Sequence, residues 1–375
     1  MLPTPDAVRT ALAAVNDPEL HRPITELGMV DRVDVGDDGV VDVRVLLTTA
    51  GCPMRERLSS DVTAAVRGVE GARGARVAFG EMTPEQRAEL TVKLRGTTQA
   101  APTIRFNEPG NLTRVYAVAS GKGGVGKSSV TVNLAAAMAA DGLRVGVLDA
   151  DVHGFSVPRL LGVTGRPTKV DSLILPPTGH GVRVISIGMF VPGNEPVAWR
   201  GPMLHRALQQ FASEVFWGDL DVLLLDLPPG TGDIAISVGQ LLPGAEVLVV
   251  TTPQAAAAEV AERAGAVAAQ TSQRVVGVVE NMSWLQLPDG QRMELFGAGG
   301  GQRVAESLTE RLGTPVPLLG QVPMDVTLRE GGDAGVPVVL SAPDSPAAVA
   351  LRQLASTLAA RPRGLAGRRL GVSVA

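Results

Sequence analysis

The first 95 residues contain short runs of alternating or periodic hydrophobic positions, which predict a small α/β domain. Residues 30–35 and 40–47 alternate with a period of two and flank Gly-Asp-Asp-Gly, a turn sequence typical of a β-hairpin. The other elements predicted in this part of the chain are helices at 8–15, 55–66 and 83–90 and a strand at 75–79.

The pattern changes after residue 113, where short, continuously apolar runs alternate with helical stretches. Runs of this kind are typical of parallel strands that helices cover on both faces of the sheet. The predicted strands are 115–120, 145–149, 182–188, 222–226, 247–251, 275–281 and 316–320, and the predicted helices are 127–140, 203–215, 233–241, 255–270, 301–312 and 347–359. This alternation predicts a doubly wound, mostly parallel α/β sheet.

These two patterns predict how the chain divides into domains. We expect a small α/β domain at 1–95, a larger α/β domain at 113–360 and a flexible basic tail at 361–375. The segment between the domains, 96–112, is polar and rich in Gly and Pro, which indicates a linker.

Composition excludes several classes of protein. With 34 basic and 38 acidic residues the net charge is −4, so the chain lacks the basic excess that is typical of nucleic-acid-binding proteins. The chain has one cysteine, Cys52, which excludes an intrachain disulfide and a zinc site built on a Cys-X-X-Cys pair. No apolar run is long enough to span a membrane and no signal peptide is visible, so we expect a cytoplasmic protein without stable membrane association.

A glycine-rich segment follows the first strand of the larger domain and opens a helix. It reads SGKGGVGKSS over residues 120–129 and satisfies GxxxxGK[ST], the loop that surrounds nucleotide phosphates. Its glycines let backbone N–H groups face a phosphate, Lys127 supplies a charge for the β- and γ-phosphates, and Ser128 supplies a hydroxyl for Mg²⁺. The predicted ATP-binding residues in this loop are Gly121, Lys122, Gly123, Gly124, Val125, Gly126, Lys127, Ser128 and Ser129.

The same glycines also fit GxGxxG, the fingerprint of a dinucleotide site, with Asp149 near the position of a ribose-binding acid. A dinucleotide-binding loop does not require a lysine and a serine at positions 127 and 128, however. In addition, Asp226 lies at the end of a strand, where an acid can reach Mg²⁺. We therefore predict a nucleoside triphosphate site, with Ser128, Asp149 and Asp226 as the magnesium residues.

The second lysine of the loop makes the motif more specific. KGGxGK[ST] resembles the deviant Walker A motif of the MinD, ParA and nitrogenase iron-protein class. The resemblance implies a homodimer in which Lys122 reaches the phosphates of the partner, although a solvated loop charge is the alternative. It also implies that Asp151, two residues past a strand end, orients the attacking water, the alternative being a loop cap. With Lys127, these are the predicted catalytic residues.

Seven further segments resemble the Mrp/ApbC iron–sulfur cluster carrier ATPases, over roughly residues 100–360. In chain order they are VLDADVHGFSVPRLLG, WRGPML, LLLDLPPGTGD, TTPQ, ENMSW, FGAGGG and GQVPMD. The N-terminal part, with DPEL and LLTTAGCP, is similar to the iron–sulfur assembly domain that precedes the ATPase in many members. The resemblance implies slow ATP hydrolysis, homodimerisation, transfer of iron–sulfur clusters to apoproteins, and adenine recognition by Asn281.

One departure from that family concerns its cluster ligands. The family usually carries Cys-X-X-Cys between ENMS and FG, whereas this chain reads ENMSWLQLPDGQRMELFG and has no cysteine there. Cys52 is therefore the only thiolate candidate. Pro53 suits a first helical position, which predicts Cys52 at or beside a helix N-cap, where the dipole, Arg55 and Arg57 would make the thiol reactive. A small buried hydrophobic residue is the alternative.

Three functions follow from these observations. The first is an ATP-hydrolysing carrier that binds and transfers iron–sulfur clusters. The second is an ATP-switched adaptor that docks apoproteins but holds no cluster, which the missing Cys-X-X-Cys keeps open. The third is a positioning ATPase of the MinD/ParA kind. The C-terminal helix, with Val349, Leu351, Leu354 and Leu358, has a thin apolar face that we expect to pack in the core.

Overall fold

A computed structural model describes residues 2–48, 54–95, 103–151, 154–190, 201–230, 232–254, 262–263, 267–287 and 289–361. The chain divides into two compact units. The first comprises Met1–Pro102 together with Thr168–Leu175, and the second comprises Thr103–Pro167 and Pro176–Ala375. The exact limits predicted for the domains and the linker stay predictions.

The first unit contains a three-stranded sheet. Its elements are α1 (Pro5–Leu12), β1 (Val30–Val35), β2 (Val40–Leu47), α2 (Arg55–Arg67), β3 (Gly74–Glu81) and α3 (Pro84–Arg95). Strands β1 and β2 form the predicted antiparallel hairpin, in which Gly39 has a φ of +79° that favours glycine. Strand β3 runs parallel to β2. Buried residues of β2, including Val41, Val43 and Val45, and of α2, including Leu58 and Val62, belong to the core of this unit.

Helix α2 begins at Arg55, as predicted, and Met54 is its N-cap residue. The positions predicted for Pro53 and Cys52 near this helix start lie outside the described residues. The two arginines that were expected to activate the thiol have other partners. The Arg55 guanidinium lies 4.8 Å from the centre of the Phe79 ring, and Arg57 pairs with Asp61 at 3.9 Å. Cys52 itself lies outside the described residues.

The second unit contains most of the remaining elements. They are β4 (Arg114–Ser120), α4 (Lys127–Ala140), β5 (Val145–Asp149), α5 (Val157–Leu160), β8 (Thr178–Gly179), β9 (Val182–Ser186), α6 (Gly201–Glu214), β10 (Val222–Asp226), α7 (Asp233–Leu241), β11 (Glu246–Thr251), β12 (Val275–Gln286), β13 (Arg292–Met293), α8 (Gly300–Leu312), β14 (Leu318–Met324), α9 (Val326–Ala334), α10 (Val338–Ser341) and α11 (Pro346–Ala359). The two intervening strands, β6 (Thr168–Val170) and β7 (Leu173–Leu175), form a hairpin that belongs to the first unit. Short 3₁₀ turns occur at Arg105–Asn107 and Ile187–Phe190.

The nine strands of the large sheet confirm the predicted α/β fold. Their order is β13-β12-β11-β4-β10-β5-β9-β8, and β14 pairs with β12. All pairings are parallel except those of β13 and β8 at the ends. The order reverses around β4, so the loops after β4, β5, β10 and β11 meet at one edge of the sheet.

Helices α4 and α11 pack together beside this sheet. Helix α4 is buried on nearly every side because its sequence is almost wholly apolar after the first turn. In α11 the side chains of Leu351, Leu354 and Leu358 are buried, as predicted, whereas Val349 is 53% exposed. The Tyr116 hydroxyl of β4 donates to the Leu358 carbonyl at 3.0 Å, which ties the C-terminal helix to the central strand.

Several elements were mislocated or missed. Strand β12 extends to Gln286 rather than 281, and β14 lies at Leu318–Met324 rather than 316–320. The hairpin of β6 and β7 and the helices α9 and α10 were not predicted. Most of the helix predicted at 255–270 and most of the basic tail lie outside the described residues. None of the described helices has the length and apolarity needed to cross a membrane.

Candidate nucleotide-binding site

The glycine-rich loop joins β4 to α4 as the sequence predicted. Gly124 and Gly126 have φ angles of +79° and +78°, a conformation that only glycine adopts without strain. A Cβ atom on Gly126 would also lie 2.3 Å from Asn281 Nδ2. No side chain in the described part of the chain caps the first turn of α4, so its N–H groups are available to an anion.

The loop surrounds a cavity of about 340 Å³. Eight of the nine predicted loop residues line it, and the ninth, Gly121, is buried. The full lining is Ser120, Lys122, Gly123, Gly124, Val125, Gly126, Lys127, Ser128, Ser129, Asp151, Gly154, Ser156, Leu160 and Pro229. The loop and the region after β5 therefore enclose one cavity with basic, hydroxyl and acidic groups on its wall.

Lys127 lies in a buried polar cluster centred on Asp226. Its Nζ is 2.8 Å from Asp226 Oδ1, and both side chains are buried. The Ser128 hydroxyl donates to Asp226 Oδ2 at 2.5 Å, and the Thr131 hydroxyl donates to Oδ1 at 2.9 Å. Thr131 was missed by the sequence analysis, although it lies one turn after Lys127 on the same face of α4. Strand β10 thus brings its terminal acid to the two side chains predicted to bind phosphate and magnesium.

Asp149 is the other strand-end acid, and it lies opposite Asp226 in the parallel register of β5 and β10. It is fully buried, accepts from the Ser186 hydroxyl at 3.0 Å and accepts from the Asp151 backbone N–H at 3.1 Å. Burial and, secondly, the Asp226 charge raise the pKa of Asp149 to about 8. Asp149 has no hydrogen bond to Ser128, so its role as a direct magnesium ligand stays a prediction.

Asp151 is buried and lines the cavity. The Gly154 N–H donates to its Oδ1 at 3.1 Å, which is the loop-capping interaction considered as the alternative to a role in catalysis. Capping does not exclude the water-orienting role, because a carboxylate accepts several hydrogen bonds at once.

Lys122 contacts a residue that the sequence analysis did not single out. Its Nζ donates to Gln254 Oε1 at 2.7 Å. Gln254 is the last residue of the TTPQ segment, which was recognised as a family motif without a side-chain role. Lys122 is therefore hydrogen-bonded within the chain, and its role across a dimer stays a prediction.

Asn281 is buried within β12, one residue past the end of its pairing with β11, and lies beside the loop. Its Nδ2 donates to the Val125 carbonyl at 2.9 Å, whereas its Oδ1 has no hydrogen-bond partner among the described residues. A buried acceptor without a partner is costly, and a ligand with an N–H group would satisfy it. The neighbouring Glu280 fixes this region, because it accepts from the Gly301 N–H at 2.6 Å and from Gln321 at 2.7 Å.

The loop fits a nucleoside triphosphate with its magnesium ion. It provides two left-handed glycines, an uncapped helix start, a buried lysine and hydroxyl and carboxylate oxygens of the kind that Mg²⁺ prefers. For an iron–sulfur cluster the situation differs. The described residues contain no group of three or more His, Cys, Asp or Glu side chains that could hold a metal ion.

Two protein-family models match this chain, one in its N-terminal part and one over most of the remainder. The family model of the NUBPL iron-transfer P-loop NTPases matches residues 111–359, which is more than half of the chain. The chain belongs to this family. A second model, of iron-sulfur cluster assembly proteins, matches residues 5–79. Both matches confirm the resemblance, and the iron-transfer family favours a carrier over a positioning ATPase.

Individual relatives are similar along the whole chain. It is 63% identical over 366 residues to a Mycobacterium bovis protein named iron-sulfur cluster carrier protein, covering 98% of this chain and 96% of the relative. A Deinococcus radiodurans protein of the same name is 45% identical, with 94% of each chain covered. A nucleotide-binding protein from Archaeoglobus fulgidus, solved with ADP, is 35% identical with a TM-score of 0.53, covering 63% of this chain and 92% of that one.

Proposed function

We propose that this chain is an ATP-dependent carrier that binds iron–sulfur clusters and transfers them to apoproteins. The observation that carries the proposal is 63% identity, over 98% of the chain, to a protein named iron-sulfur cluster carrier protein. The intact loop, Lys127, Ser128 and Asp226 supply the nucleotide site that such a carrier requires.

ATP is the nucleotide we infer for the cavity. Lys127 would exchange Asp226 for the β- and γ-phosphates, and the α4 N–H groups would bind the same anion. Ser128 and Asp226 would hold Mg²⁺, which neutralises phosphate charge when it is bound. Asn281 Oδ1 would accept from an N–H group of adenine, because it is buried and no donor among the described residues reaches it.

Slow ATP hydrolysis is the catalytic part of the proposal. Asp151 would orient the attacking water, since its carboxylate is buried on the cavity wall and its loop is fixed by Gly154. Asp149 supports that loop through the Asp151 backbone N–H. We further propose a homodimer, in which Lys122 reaches the phosphates bound by the partner subunit.

The cargo site is where this chain departs from its family. Cys52 is the only cysteine in 375 residues, so two subunits supply two thiolates. A cluster usually takes four protein ligands, so the remaining positions would fall to a client or a small thiol. We therefore propose labile cluster binding through Cys52. The same cysteine count favours a second candidate, an ATP-switched adaptor that docks apoproteins and holds no cluster.

Anaerobic reconstitution of the full chain with iron and sulfide separates these functions. Iron counting and visible absorption on the wild type and on Cys52→Ala are the two readouts. A carrier binds iron in the wild type and loses it in Cys52→Ala, while both proteins hydrolyse ATP equally. Stable, stoichiometric iron in Cys52→Ala would exclude Cys52 as a ligand. Absence of iron from the wild type, with or without added thiol, would favour the adaptor.

A further inference from the structure

Two loops meet where Lys122 contacts Gln254. Strands β4 and β11 are parallel neighbours, and Val250 lies opposite Ser120 in their register. The loops that follow these two strands leave the sheet at the same edge. Lys122 and Gln254, one in each loop, therefore lie side by side. Their contact at 2.7 Å joins an ammonium to an amide oxygen in a half-buried position. It is a charge-assisted hydrogen bond, which is stronger than a bond between neutral groups.

The backbone immediately before Gln254 is held in place by residues of α8. The Pro253 carbonyl accepts from Arg303 at 3.3 Å, and a Cβ atom on Gly300 would lie 2.5 Å from the same oxygen. Such close packing leaves the carbonyl little freedom to move. The start of α8 therefore holds the residue before Gln254, and Gln254 meets Lys122 from a defined position.

We propose that Gln254 is a positioning residue that retains Lys122 within its own subunit and releases it when two subunits close around ATP. The inference rests on the proposed function, because it requires that Lys122 acts across a dimer. To reach phosphates of a second copy, Lys122 Nζ would have to move away from Gln254, which belongs to its own chain. Closure therefore breaks this hydrogen bond, and its strength sets part of the free energy of dimerisation.

Two substitutions of Gln254 should shift the dimerisation equilibrium in opposite directions. Gln254→Leu removes the acceptor and keeps a similar volume, so Lys122 is released and closure becomes easier. Loss of a hydrogen bond to a charged group should change the dimerisation constant by about 10-fold. Gln254→Glu keeps the shape and adds a negative charge, which strengthens retention by about 3-fold for a partly exposed pair. General damage to the loop would shift both variants in the same direction.

The experiment measures ATP turnover of the full-length protein as a function of protein concentration. The expected concentration at half-maximal specific activity falls about 10-fold in Gln254→Leu and rises about 3-fold in Gln254→Glu. Gln302→Leu is the matched control, because Gln302 bonds Glu306 within α8, and it should behave as the wild type. Thermal unfolding of each variant identifies loss of fold, and the isosteric Gln254→Glu keeps the test decisive if Gln254→Leu unfolds.

Two outcomes overturn the inference: unchanged midpoints in both variants, or shifts in the same direction. Lys122→Ala distinguishes failure of the inference from failure of the proposed function. If Lys122→Ala loses turnover while the Gln254 variants match the wild type, only the retention by Gln254 is wrong. If Lys122→Ala keeps full turnover, the cross-subunit role of Lys122 fails and this inference fails with it.

Discussion

Replacing Asp226 by asparagine should make ATP binding less dependent on magnesium. The substitution removes one negative charge at a fully buried position and keeps the size of the side chain. In the wild type, Asp226 Oδ1 lies 2.8 Å from Lys127 Nζ and Oδ2 accepts from Ser128 at 2.5 Å. The same carboxylate therefore competes with phosphate for Lys127 and is also a proposed ligand of Mg²⁺.

These two roles predict opposite effects under two conditions. Without magnesium, Lys127 no longer has to leave a carboxylate, and a charge-assisted bond of about 1.5–3 kcal/mol implies about 10-fold tighter ATP binding. With magnesium, loss of one charged ligand should weaken binding about 10-fold, at roughly 1.4 kcal/mol per factor of ten. The ratio of the two dissociation constants should therefore shrink by about 100-fold.

Titration of ATP into Asp226→Asn and wild type, once in Mg²⁺ and once in EDTA, measures this ratio by calorimetry. Asp221→Asn is the matched control, because Asp221 lies just before the other end of β10 and pairs with Arg144 at 3.1 Å. It should keep the wild-type ratio. A wild-type ratio in Asp226→Asn, or an equal loss of affinity in both buffers, would refute the reasoning.

Three further predictions concern single side chains. Asp151→Asn should lower kcat at least about 10-fold with little change in ATP affinity, as expected for a group that orients water in the transition state, and steady-state kinetics with direct binding would check it. Asn281→Ala should reduce the preference for ATP over GTP about 10-fold, because it removes the buried acceptor proposed for adenine, and competition binding would measure this. Burial and, secondly, the Asp17 charge raise the pKa of Glu19 to about 7, so the folded state binds more protons than the unfolded state between the ordinary glutamate pKa and 7 and stability falls as pH rises through that window. Glu19→Gln should therefore raise the free energy of unfolding by roughly 1–2 kcal/mol at pH 8 and by little at pH 4, measured by urea unfolding at both pH values.

The sequence predicted the elements whose pattern is continuous. Residues 127–140 and 145–149 were located to the residue, because their lengths separate a helix from a strand and the glycines at 126 and 142 mark the ends of the helix. The hairpin at 168–175 was missed, since its strands have three residues each and show no periodicity. Its membership of the first unit depends on long-range packing that local pattern does not encode.

In the candidate site, the sequence predicted the backbone positions but not the side-chain contacts. Backbone positions of the loop follow from the spacing of its glycines, so a motif predicts them directly. Side-chain partners do not: the contacts of Lys127 with Asp226 and of Lys122 with Gln254 join residues about 100 or more positions apart. The start of α2 at residue 55 was predicted correctly, whereas Met54 was not expected at its N-cap, because a proline suits more than one position near a helix N-terminus.

Transfer of a cluster to an apoprotein tests the central claim most directly. The full chain, loaded anaerobically with iron and sulfide, would be mixed with an apoenzyme whose activity requires a cluster, with and without ATP. We predict that the wild type restores the activity in an ATP-dependent manner, and that Lys127→Ala loads iron but shows no response to ATP. No restored activity above that from free iron and sulfide, with or without ATP, would contradict the carrier function.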